Sequence, residues 1–260
     1  MEYVFLLVSA SFLSGILSGL FGIGSGLIMI PILYKTFRLM EIDDSICMNI
    51  AMGTTIAVVA PTSIVSFLEH RRRGMVDMKI LKSWSIIIPI TTVLTSLMIS
   101  HAHITFLHKG FAVFCCFVGV AILFKERLHF KKDFPDNFLK YIWGIVTGVL
   151  SGVLGVGGGI FSTLLMLCHG RSINQATAIS SGVSVLITCP GLIVRIYNGL
   201  GVEGTPPMSI GFVNIGAVLI MLPISMILAP LVTKLSYKIE KKYLEVAFSL
   251  FMFVTAFVFL

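Results

Sequence analysis

Charged side chains are scarce in this chain: Asp, Glu, Lys and Arg make up 12% of its 260 residues, against about a quarter in soluble domains. With 57% hydrophobic residues and a mean hydropathy of +1.00, that scarcity excludes an ordinary water-soluble globule. At about 20 to 25 apolar residues per crossing, the length accommodates roughly seven or eight membrane segments on short loops, with no room left for a soluble domain. The chain also lacks the usual signatures of catalysis. No Ser/His/Asp set, metal-ligand group or pair of carboxylates falls at one depth, so an enzyme is not expected, and neither is a metal or cofactor. The five cysteines, Cys47, Cys115, Cys116, Cys168 and Cys189, are odd in number, lack metal-like spacing and read as small packing residues. Met1-Glu-Tyr-Val-Phe-Leu-Leu7 carries an acid where a secretory signal carries a base, and is expected to stay as part of the first membrane segment.

The net charge of +7 does not point to nucleic acid, because most of the basic residues gather in three clusters between apolar runs. These are Arg71, Arg72, Arg73, Lys79 and Lys82; Lys125, Arg127, Lys131, Lys132 and Lys140; and Lys234, Lys238, Lys241 and Lys242. Such clusters mark cytoplasmic loops, which predicts a multi-pass protein of a bacterial inner membrane. His101, His103 and His108 lie in a short turn and read as solvated rather than metal-binding.

Glycine organises the apolar part. Ser18-Gly-Leu-Phe-Gly-Ile-Gly-Ser-Gly-Leu-Ile-Met29 is echoed by Ser151-Gly-Val-Leu-Gly-Val-Gly-Gly-Gly-Ile-Phe-Ser162. A shift of 133 positions pairs Gly15, Ser18, Gly19, Gly22, Gly24 and Gly26 with Gly148, Ser151, Gly152, Gly155, Gly157 and Gly159, the mark of an internal repeat. The run Gly155-Val-Gly-Gly-Gly159 is not a dinucleotide or phosphate loop, since no strand–helix alternation surrounds it and no Gly-Lys-Ser/Thr follows.

Charge parity then constrains topology. Three apolar stretches separate the second and third basic clusters, and three simple crossings would put those clusters on opposite sides. The stretch 138–167 would be a helix of about 45 Å, too long for one crossing of a roughly 30 Å core and too short for two. A reversal at its glycines resolves the conflict; the alternative, eight continuous helices with the last basic cluster outside, violates the charge rule. The expected fold is therefore an all-α polytopic membrane protein forming a single transport domain over 1–260. It comprises two inverted repeats, about 1–130 and 138–260, each a glycine-broken re-entrant hairpin plus three transmembrane helices. The expected connectors include 34–49 and the Gly/Pro loop 198–211.

A glycine break exposes backbone N–H groups, and the helix restarting after it, near Leu27 or Ile160, turns its positive end on whatever occupies the break. Two such ends favour a small anion. The competing reading makes the glycines helix-packing faces. It suits Gly15/Gly19 and Gly148/Gly152, whereas the denser Gly22, Gly24, Ser25, Gly26 and Gly155, Gly157, Gly158, Gly159 read as substrate-binding breaks. Thr54-Thr55 and Ser180-Ser181 follow the two breaks and could donate to an anion without a fixed charge, or bond their own helices instead. Arg195 is an intramembrane cation whose guanidinium fork suits an oxyanion, unless it snorkels to the interface. Asn49 is a further polar contact. The partners expected are a small anionic substrate, membrane lipid, a coupling ion (proton or sodium) and a second copy of the chain.

These residues resemble the sulfite exporter TauE/SafE family. The resemblance rests on Gly152-Val-Leu-Gly-Val-Gly-Gly-Gly159 with its variant Gly19-Leu-Phe-Gly-Ile-Gly-Ser-Gly26, on Pro31, on Ala51-Met-Gly-Thr-Thr55 and on His70-Arg-Arg-Arg-Gly-Met-Val-Asp77. Ser25 departs from the glycine pattern, and Leu164 stands where Pro31 stands in the first half. The resemblance implies transport of small sulfur-containing anions such as sulfite, thiosulfate or organosulfonates.

Overall fold

The computed structural model describes residues 2–21, 26–99, 104–123, 134, 138–236 and 241–259. Lys125, Arg127, Lys131, Lys132, Lys238, His101 and His103 lie outside these residues. Helix α1 (Glu2–Phe21) and α2 (Gly26–Leu39) flank the first glycine cluster. Helix α3 (Asp44–Arg72) follows after a turn, its first turn capped by the Asp43 carboxylate, which accepts from the Ser45 N–H at 2.8 Å. The connector expected over 34–49 is thus only a short turn. Lys35 and Arg38 belong to the end of α2, where Tyr34 donates to Asp44 Oδ1 at 2.5 Å and Arg38 Nε stands 3.7 Å from the same oxygen.

Helix α4 (Met78–Trp84) and α5 (Ile87–Ile99) form one path bent by 42°, and α6 (Ile104–Leu123) completes the first half. The second half runs through α7 (Leu139–Leu154), α8 (Gly159–Cys168) and α9 (Ile173–Gly199), the last started by a Ser172/Gln175 capping box. A small hairpin of β1 (Ser209–Ile210) and β2 (Val213–Asn214) lies within the expected loop, followed by α10 (Ile215–Ser236) and α11 (Lys241–Phe259). Among the described residues, α3, α6 and α9 are long and apolar enough to cross a membrane, and the bent α4–α5 path is a fourth candidate. The chain is an all-α polytopic membrane protein.

Helix packing follows the internal repeat. Helix α1 lies along α10, and its counterpart α7 lies along α5; α2 packs on α3 as α8 packs on α9. Helices α3 and α9 pack on each other, as do α6 and α11. Exchanging the two halves reproduces these pairings. Glycine permits the closest of these approaches. A Cβ on Gly15 would stand 2.9 Å from Leu228 Cβ on α10, and one on Gly152 would stand 2.9 Å from Thr95 Cβ on α5. Gly148 meets Thr91 in the same way, so at these three positions the glycines are packing surfaces.

The contacts sort the connectors onto two ends. At one, Arg171 pairs with Asp77 at 3.1 Å, the Trp84 indole donates to the Lys140 carbonyl at 2.7 Å, and Phe134 stacks edge-on against Trp84 and His169. This end holds Lys79, Lys82 and Lys140 from the first two basic clusters. At the other, Tyr34 packs on His108 and Phe259, and Gly204 lies beside Ile46. Helix α7 starts and α8 ends at the basic end, beside Phe134 and Arg171. Leu7 of α1 and Phe37 of α2 share a core with Phe212 and Ala217 at the opposite end. By the charge rule, a reporter fused after Leu260 should read as extracytoplasmic in paired alkaline phosphatase and fluorescent-protein fusions. A cytoplasmic signal would contradict this arrangement.

Candidate functional site

The second glycine cluster is a chain reversal in the interior. Helix α7 is closed by Gly155 at φ 62°, whose N–H donates to the Ser151 carbonyl at 3.0 Å. Gly158 precedes α8 at φ 67°. Both angles lie in the left-handed region that favours glycine. Residues 155–159 are all buried. Two hydroxyls take up carbonyls here: Ser162 donates to Gly158 O at 2.9 Å and Ser180 to Gly159 O at 2.6 Å. The first N–H groups of α8 have no carbonyl one turn earlier, which leaves the positive end of that helix facing the reversal.

The other half meets it there. Gly22, Gly24 and Ser25 lie outside the described residues, but Gly26, the first residue of α2, is placed and buried. A Cβ on Gly26 would stand 3.4 Å from the Gly157 nitrogen, 3.5 Å from Thr55 Cγ2 and 3.7 Å from Val156 Cγ1. The start of α2 therefore abuts the α7–α8 reversal, with Thr55 beside the contact. On its remaining side, Gly157 faces Val59, Thr188 and Ser184, which a Cβ would approach at 3.0, 3.3 and 3.9 Å.

The hydroxyls differ in availability. Thr54 Oγ1 accepts from the Asn214 N–H at 3.0 Å, Ser180 is bonded to Gly159, and Ser181 donates to Ala178 O within its own helix at 2.8 Å. Thr55 Oγ1 is buried with no hydrogen-bond partner among the described residues. Ser184 and Thr188 were not singled out by the sequence, although a readable signal exists. The helix caps Asp43 and Ser172, the glycines Gly53 and Gly182, and the prolines Pro61 and Pro190 all match at a shift of 129, not 133. In that register Thr55 corresponds to Ser184, and both lie at the reversal.

Arg195 does not snorkel. Its side chain is fully buried, with Nη1 donating to Asn49 Oδ1 at 2.7 Å and Nη2 to the Met52 sulfur at 3.4 Å. Among the described residues Nε has no partner, and no carboxylate comes within 4.0 Å. The β1–β2 hairpin closes over this end of α9, where Phe212 N–H donates to the Arg195 carbonyl at 3.3 Å. An isolated interior cation is costly unless something compensates it. Among the described residues no group of His, Cys, Asp and Glu could hold a metal ion. His108 stacks edge-on against Tyr34 and Phe259.

A multi-pass helical protein with an interior chain reversal, a helix start abutting it and a buried cation nearby has the form of a membrane transporter, where irregular backbone lies inside protein rather than in lipid. The chain belongs to the Sulfite exporter TauE/SafE family, which it matches over residues 7–259. It is 28% identical over 259 residues, 98% of this chain and 97% of the relative, to a "Probable membrane transporter protein" of Haemophilus influenzae. A protein of Methanocaldococcus jannaschii given the same description is 33% identical over 252 residues, 94% of this chain and 90% of the relative. The Bacillus subtilis "Probable membrane transporter protein YdhB" is 27% identical over 203 residues, 75% of this chain and 77% of the relative.

Gly157 supplies a direct test. Alanine would ask Val59 to move by a few tenths of an ångström, whereas leucine would overpack the contact by about 1 to 3 kcal/mol. Gly157→Leu is expected to insert at normal levels yet lose about nine-tenths or more of its transport, with Gly157→Ala retaining much of it; equal transport by both would contradict a functional reversal.

Proposed function

We propose that the protein is a secondary transporter that moves a small sulfur-containing anion, such as sulfite, thiosulfate or an organosulfonate, by alternating access. The observation that carries this reading is the abutment of Gly26 on Gly157, which brings the starts of α2 and α8 together beside a partnerless Thr55 hydroxyl. Two helix N-termini offer unpaired N–H groups and positive potential. A hydroxyl adds a donor without a charge that would hold the anion too firmly.

The binding set in this reading comprises Gly22, Gly24, Ser25, Gly26, Thr55, Gly155, Gly157, Gly158, Gly159 and Ser184, with Thr54, Ser180 and Ser181 fixing the backbone around it. Arg195 supplies a charged flank, with the neutral Asn49 beside it. The two halves, about 1–130 and 138–260, act as inverted repeats whose hairpins enter from opposite faces. The exchange of helix contacts between halves and the two-ended distribution of connectors support that orientation. Rocking one half against the other then opens the shared centre to either side. The sulfur preference rests on the family's description, and the centre itself accounts for a small oxyanion. A bacterial inner membrane, a coupling proton or sodium ion and a homo-oligomer complete the proposal.

Purified protein in proteoliposomes is expected to take up sulfite or thiosulfate several-fold faster than empty vesicles, with excess unlabelled anion suppressing the signal. Transport of a carboxylate but of no sulfur anion would redirect the substrate class. Absence of flux for every anion in the panel would overturn the transporter mechanism.

A further inference from the structure

The surroundings of Arg195 are unusual for a buried cation. A guanidinium carries five N–H donors, yet its side-chain partners here are one neutral carboxamide oxygen and one thioether sulfur, and Nε is left without a partner. Thioether sulfur is a weak acceptor. The corresponding position of the first half, at the shift of 129, is Ser66, so only one half carries a cation here.

Met52 is also the side chain between this cation and the reversal. A Cβ on Gly155 would stand 2.6 Å from Met52 Cβ and 3.2 Å from its sulfur, while Arg195 Nη2 touches the same sulfur at 3.4 Å. Met52 lies one turn before Thr55 on α3, so movement of its thioether would join the guanidinium to the Thr55–Gly157 centre. Methionine suits this position, being unbranched and able to change rotamer inside a packed region.

We propose that Asn49 and Met52 are internal surrogate ligands of Arg195, holding the guanidinium in the unloaded protein, and that an arriving oxyanion displaces the Met52 thioether and takes its place. This rests on the anion-transport reading and deepens it, since it makes Met52 a determinant of affinity. Weakening the surrogates then destabilises the empty protein and favours the anion; strengthening them does the reverse.

Two near-isosteric substitutions test the idea with opposite signs. Met52→Leu removes the acceptor at similar volume, and Asn49→Asp replaces a neutral acceptor by a carboxylate that neutralises the cation. Binding of sodium thiosulfate to the purified full-length protein would be measured calorimetrically, alongside melting temperature without anion. Met52→Leu is expected to bind about three- to tenfold tighter and melt lower, and Asn49→Asp to bind about a hundredfold more weakly and melt no lower. Arg195→Gln should lose about tenfold or more. Weaker binding by Met52→Leu, or unchanged affinity in both surrogate variants while Arg195→Gln binds poorly, would overturn the surrogate role and leave Arg195 as an anion ligand. Unchanged affinity in Arg195→Gln would remove Arg195 from the anion site and the surrogate role with it.

Discussion

Every backbone N–H and C=O inside a bilayer must find a partner within the protein, because lipid offers none. A break in a helix is therefore tolerable only where other elements surround it. Residues 155–159 meet that condition: all five are buried, and hydroxyls from α8 and α9 donate to the Gly158 and Gly159 carbonyls and tie the restart of α8 in place. The rest of the architecture follows from this requirement. Helices α3 and α9 pack against each other to flank the reversal, α5 and α10 support the outer sides of α7 and α1, and α6 with α11 close one side of the molecule.

The same requirement divides the polar residues into two kinds. Thr54, Ser180 and Ser181 are bonded to backbone groups and help fix the geometry. Thr55 and the Arg195 Nε have no such partner. Buried polar groups are nearly always hydrogen-bonded, so groups left over at a helix-terminus meeting point are where a polar ligand has most to gain. Both atoms can donate a hydrogen bond, the hydroxyl by its O–H and Nε by its N–H, which agrees with an anionic ligand.

Much of the fold was legible in the sequence because hydropathy, charge clusters and glycine act over long stretches. The break in 138–167 followed from parity and length, and the structure places it at Gly155–Gly158. Element ends were less legible. Lys35, Arg38 and Asp44 looked like a polar connector, but they belong to helix ends tied together by the Tyr34–Asp44 hydrogen bond, a contact between two helices that local sequence does not encode. The pairing of hydroxyls failed for a related reason: α2 has 14 residues where α8 has 10, so the shift that aligns the glycine clusters no longer aligns the following helices. Ser184 and Thr188 were missed on that account. The burial of Arg195 was not legible either, because snorkelling depends on how the β1–β2 hairpin folds over the end of α9.

We propose a single anion site where the start of α2 meets the α7–α8 reversal. Anomalous diffraction from crystals grown with selenite, the heavier congener of sulfite, tests it most directly. A selenium peak is expected within hydrogen-bonding reach of Thr55 and the Gly157 backbone. A peak elsewhere in the membrane region, with none at that meeting point, would contradict it.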